Sequence, residues 1–263
     1  MPSTSTLTRS LMEEGSTSAK EGKPVLLEEL TSAEFKEISR RKPLVIVPVG
    51  SVEEHGSHLP LCTDSFQAEE VARRVALAFG GIVCPPIRYG DCRSTRNFPG
   101  TISIGFDTLR MLVTDILSEL DRNGVDKILV ITGHAGSAHM IAVKLGALAV
   151  VEKNPKLKVM FLSDYDLAYE LRGKEFPEGD GHGGLIETSR ILNIRPELVR
   201  SPRPKGKTWA PPFMIVADPE RYFPSGVLGD STSATASKGR KIDDYVVGRL
   251  CDMISKNFGI KRA

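Results

Sequence analysis

Leu44-Val45-Ile46-Val47-Pro48-Val49 runs directly into Gly50-Ser51-Val52-Glu53-Glu54-His55-Gly56-Ser57-His58-Leu59-Pro60-Leu61-Cys62-Thr63-Asp64. The first six residues are apolar on both alternating faces, the pattern of a strand buried between two helix layers. The glycines after them let the backbone turn tightly. Val71, Val75 and Phe79 then recur at helical spacing, with Asp64 or Thr63 placed as cap and Gly80-Gly81 as stop. The local order is therefore strand, loop, helix. The loop carries Glu53, His55 and Asp64, three good ligands for a divalent metal.

The same order repeats downstream. Residues 82–84 form a short strand, and 87–100 a long loop of the kind that is often functional. Asp107 stands where a cap belongs, and Leu109, Leu112, Val113, Ile116, Leu117 and Leu120 make one apolar stripe up to Asn123-Gly124. A strand over 127–131 ends at Gly133-His134-Ala135-Gly136, followed by a helix over 138–152 and a strand over 159–162. This alternation predicts an α/β fold with a mostly parallel sheet, covered on both faces and joined by right-handed crossovers. Sites in such sheets form at the carboxyl ends of the strands, so the Glu53/His55 loop and His134 are expected to converge there.

Upstream, Thr31 and Glu34 have capping-box spacing for a short helix ending near Arg41. Residues 1–25 are rich in Ser, Thr, Lys and Glu and read as a polar tail, leaving 26–263 as a single domain. Toward the other end, Gly179-Asp180-Gly181-His182-Gly183-Gly184 precedes a helix through Ile191 and Leu192. Residues 202–230 are rich in Pro and Gly and irregular, and a last helix covers 234–258.

A hydrophobic fraction of 40% over 263 residues is enough for a substantial core. With 35 basic and 33 acidic residues, the net charge of +2 offers no reason to expect a nucleic-acid or membrane-surface partner. The four cysteines make no Cys-x-x-Cys pair, the N-terminus has no apolar signal region, and no run is long enough to cross a membrane. A reduced, cytoplasmic protein is expected.

Glu53 and His55 are two apart and point the same way from an extended loop. Asp64, at a helix start, is placed to bridge two ions. Glu187 is either a further ligand or a general base. Three carboxylates and two imidazoles suit a pair of divalent ions better than one. His58 faces substrate or supports a ligand, and His139 belongs to a helix surface. The cysteines read as small buried apolar groups. Arg88, Arg93 and Arg96 surround the 87–100 loop; guanidinium suits a carboxylate or phosphate, which makes Arg93 and Arg96 candidate substrate contacts, against the alternative of a solvated loop.

The Gly50–Pro60 stretch with Asp64 resembles the signature of the creatininase (creatinine amidohydrolase) family. Phe98-Pro99-Gly100-Thr101, Gly133-His134-Ala135-Gly136, His182-Gly183-Gly184 through Glu187-Thr188-Ser189, and Gly226-Val227-Leu228-Gly229-Asp230 match further blocks in the right order, over about residues 40 to 255. The resemblance implies a three-layer α/β/α sandwich, a homo-oligomer that is often a hexamer, and two divalent metal ions per subunit (zinc, manganese or iron). Glu53 and His134 would hold one ion and His55 the other, with Asp64 between them. His182 and Glu187 fall at substrate-binding or acid–base positions. Three departures stand out. Gly136 occupies the place of a metal-binding Glu, and Glu178-Gly179 that of a Trp-Asp pair, which makes Glu178 a candidate substrate contact. Cys92 and Thr95 stand where many relatives have a Ser and a His. They point away from creatinine and toward other small molecules. Relatives of this kind cleave formamides, trim a peptide during cofactor maturation, or open a ring ketone of an inositol derivative. The resulting expectation is a hydrolase that cleaves a C–N bond with metal-activated water. The alternatives are a C–C hydrolase opening a cyclic polyol ketone and a non-catalytic binding relative.

Overall fold

Alternate residues of the central strand feed opposite layers of the molecule. Leu44 and Ile46 enter one apolar core, while Val45, Val47 and Val49 enter a second on the other side. The computed structural model describes residues 22–211 and 213–263; most of the expected polar tail, residues 1–21, lies outside the described residues.

Five parallel strands build the sheet: β1 (Val25–Leu26), β2 (Val45–Val49), β3 (Ile82–Val83), β4 (Lys127–Thr132) and β5 (Lys158–Ser163), in the order β1-β3-β2-β4-β5. The helices are α1 (Ser32–Ser39), α2 (Thr63–Phe79), α3 (Phe106–Arg122), α4 (Ser137–Lys153), α5 (Asp164–Ala168), α6 (Leu185–Ile194) and α7 (Ala236–Phe258). One core joins α2, α5, α6 and α7 to the sheet; the other joins α3, α4 and the apolar residues Phe35 and Ile38 of α1. This is the expected three-layer α/β arrangement. A short antiparallel ribbon, β6 (Lys205–Gly206) with β7 (Gly229–Asp230), lies outside the main sheet. No helix among the described residues is long and apolar enough to cross a membrane.

β2 and β4 are neighbours, yet the chain leaving β2 enters α2 on one face and the chain leaving β4 enters α4 on the other. Divergence of that kind opens a crevice beyond the carboxyl ends of the two strands. It is held shut at its base by the Gly133 N–H, which donates to the Val49 carbonyl at 3.0 Å.

Local expectations hold where backbone chemistry decides them. Thr31 and Glu34 close a reciprocal capping box, and Gly80 ends α2 in the left-handed conformation, φ +59°. Two expected caps are corrected. Gly105, not Asp107, precedes α3, and Asp107 sits in its first turn. Cys62 precedes α2, and neither Thr63 nor Asp64 caps it. The Asp64 carboxylate is taken by Ser51, His55 and His134 instead. His139 is corrected too. It is fully buried, because α4 carries apolar residues all round and has no polar stripe at that position.

Candidate metal centre

The loop after β2 folds back on itself when the Glu53 N–H donates to the Leu61 carbonyl at 2.9 Å. Glu53, His55 and Asp64 are thereby buried together at the mouth of the crevice. His134 arrives from the end of β4 and Glu187 from the first turn of α6.

Both imidazoles have one nitrogen committed to the backbone. His55 donates from Nδ1 to the Glu53 carbonyl at 3.1 Å, and His134 from Nε2 to the Asp91 carbonyl at 3.1 Å. The remaining nitrogens point at carboxylates. His55 Nε2 lies 2.9 Å from Asp64 Oδ1, and His134 Nδ1 lies 3.0 Å from Asp64 Oδ2 and 3.0 Å from Glu53 Oε1. Glu187 Oε2 lies 3.7 Å from His55 Nε2. A ring held by a carbonyl on one side presents its other nitrogen in a fixed direction, which is how metal-binding imidazoles are oriented. Asp64 thus faces one such nitrogen through each of its oxygens.

Electrostatics agree with that geometry. Burial pushes Glu53 up, but His134, and more weakly His182, overcome it and hold its carboxyl at about 2. Asp64 is held well below the usual carboxylate range by His55 and His134 against a large burial penalty. Burial pushes His55 down, and Asp64, Glu187 and Glu53 together lift it to about 10. A field strong enough to draw protons onto two buried imidazoles also favours divalent cations in the same place. Donor atoms of His55, Asp64 and Glu187 all lie within 4.8 Å of one another, as do those of Glu53, His55 and His182, and those of Glu53, Cys92 and His134. Mixed carboxylate and imidazole donors of this number fit zinc, manganese or iron.

A cavity of about 310 Å3 opens over this cluster. Glu53, Asp64, His134, His182 and Glu187 form its floor, and Tyr165, Tyr169, Phe223 and Leu228 its apolar walls. His182 stacks on His55 with centroids 4.2 Å apart and donates from Nε2 to the Glu54 carbonyl at 2.6 Å. Its Nδ1 is left 3.8 Å from Glu53 Oε1.

The four expected substrate contacts, His58, Arg93, Arg96 and Glu178, are not in the cavity lining, and neither is Arg88. Arg93 is 62% exposed at its side chain and turned back onto Asp91, at 2.6 Å. Arg96 and Glu178 are exposed, and Arg88 pairs with Glu69 at 2.9 Å. His58 is buried behind the site; its Nε2–H donates to Thr188 Oγ1 at 2.8 Å, beside Glu187. The loop around 87–100 instead contributes Thr95, whose hydroxyl donates to Glu53 Oε2 at 2.6 Å. Sequence reasoning noted Thr95 only as a departure from the family pattern and missed Tyr165, Tyr169 and Phe223, since none of the three belongs to a spaced motif.

Gly133 shows how closely the elements meet, because a Cβ there would sit 2.1 Å from the Asp64 carbonyl oxygen. Backbone cannot swing aside as a flexible side chain does. Gly133→Ala is expected to cost on the order of 2–3 kcal/mol and to weaken metal binding, read by thermal melting and metal titration. A variant matching the parent in both would contradict the close approach.

The family model described as Creatinine amidohydrolase matches residues 28–254. The chain belongs to the creatininase family. It is 33% identical over 248 residues to a mycofactocin precursor peptide peptidase of Mycobacterium ulcerans (strain Agy99), covering 88% of this chain and 92% of that one. It is 30% identical over 256 residues to a creatinine amidohydrolase of Pseudomonas putida, covering 90% and 98%. A crystal structure of creatinine amidohydrolase superposes with a TM-score of 0.80 at 29% identity, over 89% of this chain and 98% of that one. Two other solved creatininases, one described as Zn-Zn type and one as Mn, superpose with TM-scores of 0.79 at 28% and 29% identity, over 89% of this chain and 98% and 99% of theirs. As a creatininase-family protein the chain is a hydrolase, and the His, Glu and Asp cluster at its strand ends supports metal binding.

Proposed function

We propose that this creatininase-family hydrolase cleaves an amide or peptide-like C–N bond of a small molecule at a centre of two divalent ions. The observation that carries the reading is Asp64, set between two imidazoles that backbone carbonyls hold in place. Glu53 and His134 would hold one ion and His55 and Glu187 the other, with Asp64 shared. Zinc, manganese or iron bound there would lower the pKa of water toward neutrality and polarise a carbonyl.

The chain's own groups do the rest. Tyr165, Tyr169 and Phe223 exclude water from one side of the reacting bond and leave the floor polar. His182 has its Nε2 fixed on Glu54, so Nδ1 is the atom that gives a proton to the departing nitrogen. His58, through Thr188, positions the helix turn that presents Glu187. Amide cleavage has more support than ring-ketone opening, since the peptidase and the creatinine amidohydrolase are both named for C–N bonds.

Removing metal with a chelator is expected to abolish turnover of short peptides and amides, with zinc, manganese or iron restoring it. Undiminished turnover by metal-free protein discards the mechanism; tight metal binding with no turnover across a broad panel favours a binding protein. The enzyme is further proposed to be a cytoplasmic homo-oligomer. Met111 and Leu112 of α3 and Ile141, Leu145 and Leu148 of α4 are exposed apolar side chains on helices that pack together, a surface suited to a second copy.

A further inference from the structure

We infer that Cys92 is a metal ligand, its sulfur joining Glu53, Asp64 and His134 around one ion. This deepens the metal-centre reading above and rests on it. Cys92 is 1% exposed, and its sulfur lies within 4.8 Å of donor atoms of Glu53 and His134. Cys84 and Cys251 pack into the two apolar cores; Cys92 belongs to neither. Its thiol donates to the Gly90 carbonyl at a long 3.7 Å.

The residue is also held where a ligand is needed. Its N–H is fixed by donating to Ser103 Oγ at 2.9 Å. Its carbonyl accepts a hydrogen bond from the Thr95 N–H at 3.2 Å. The Thr95 hydroxyl donates to Glu53 Oε2 at 2.6 Å, so one turn fixes Cys92 and Glu53 relative to each other. From the far side, the 133–136 loop offers His134 alone, because Gly136 brings no donor atom. On ligation the S–H bond breaks, the proton passes to solvent, and the sulfur lone pair forms the bond to the ion. Thiolate favours zinc, iron or cobalt over manganese.

X-ray absorption on the zinc-loaded enzyme tests this. A sulfur shell at about 2.3 Å, one sulfur for every two zinc ions, is expected. Cys92→Ser is expected to lose that shell, to lose the near-ultraviolet thiolate charge-transfer band of the cobalt form, and to bind zinc at least roughly tenfold more weakly. Cys62→Ser, at the cysteine nearest Asp64 in sequence, is expected to keep both signals. Zinc bound through nitrogen and oxygen alone overturns the role of Cys92 and leaves the metal centre standing. A sulfur shell that survives Cys92→Ser, or vanishes in Cys62→Ser, also overturns it. No zinc bound at all overturns both. If Cys92→Ser does not fold, the sulfur shell of the parent enzyme, present or absent, decides.

Discussion

Asp64→Asn is expected to empty the metal centre and to lower turnover on the order of a thousandfold or more, about 4 kcal/mol in barrier height. The substitution keeps the size of the side chain and removes its charge. It leaves His55 Nε2 and His134 Nδ1, now 2.9 and 3.0 Å from carboxylate oxygens, facing an amide. Because both oxygens are in use, one change affects both halves of the centre. Metal content and kcat measured on the same preparation check this. A variant that keeps two ions and loses less than tenfold in kcat contradicts the shared position of Asp64.

The second large effect is on stability and arises away from the cavity. Arg190 on α6 is wholly buried, donates from Nε to Asp243 Oδ1 of α7 at 2.7 Å, and from Nη2 to Asp164 Oδ2 of α5 at 2.7 Å. Asn193 donates to the other Asp243 oxygen at 3.0 Å. Three helices are thus tied through one guanidinium, one turn beyond Glu187. Arg190→Met leaves two carboxylates buried without their cation and is expected to cost roughly 3–5 kcal/mol, on the order of 10 °C in Tm. The loss should depend on pH. Burial pushes Asp164 up to about 6 even with Arg190 drawing it down. A raised carboxyl favours the folded state only while protonated. Its contribution is complete below pH about 4 and lost as pH rises through about 6. Without Arg190 the group is pushed higher still, so the variant should be penalised more at pH 8 than at pH 5. Equal penalties at both, by thermal melting, would contradict this account.

The meeting of Glu53, His55 and His134 was legible because parallel sheets bring strand ends together whatever the sequence distance between them. Glu53 and His55 follow β2, His134 follows β4, and β2 pairs with β4, so a span of some 80 residues closes to 3.0 Å. The layers were legible for a similar reason, since apolar runs bounded by glycine specify strands without reference to partners. What escaped notice depends on partners. His139 was invisible as a buried group because α4 shows no face to contrast with it. Arg93 suggested an anion site, and its pairing with Asp91, two residues away, was not foreseen. Phe223 and Leu228 reach the cavity from a Pro- and Gly-rich segment with no periodicity to follow. The missing cap at Asp64 has a different origin. Its carboxylate serves long-range neighbours at the expense of the nearest backbone N–H groups.

Floor and walls of the cavity have separate origins in the chain. The donors that face Asp64 are anchored to strand ends and helix starts, where one added methyl at Gly133 would strike backbone. Phe223, Leu228, Thr208 and Ala210 come from an excursion whose two ends are closed on each other by a two-residue ribbon. Lineages sharing this scaffold can therefore exchange the excursion and acquire a new diet while inheriting their reactive machinery intact.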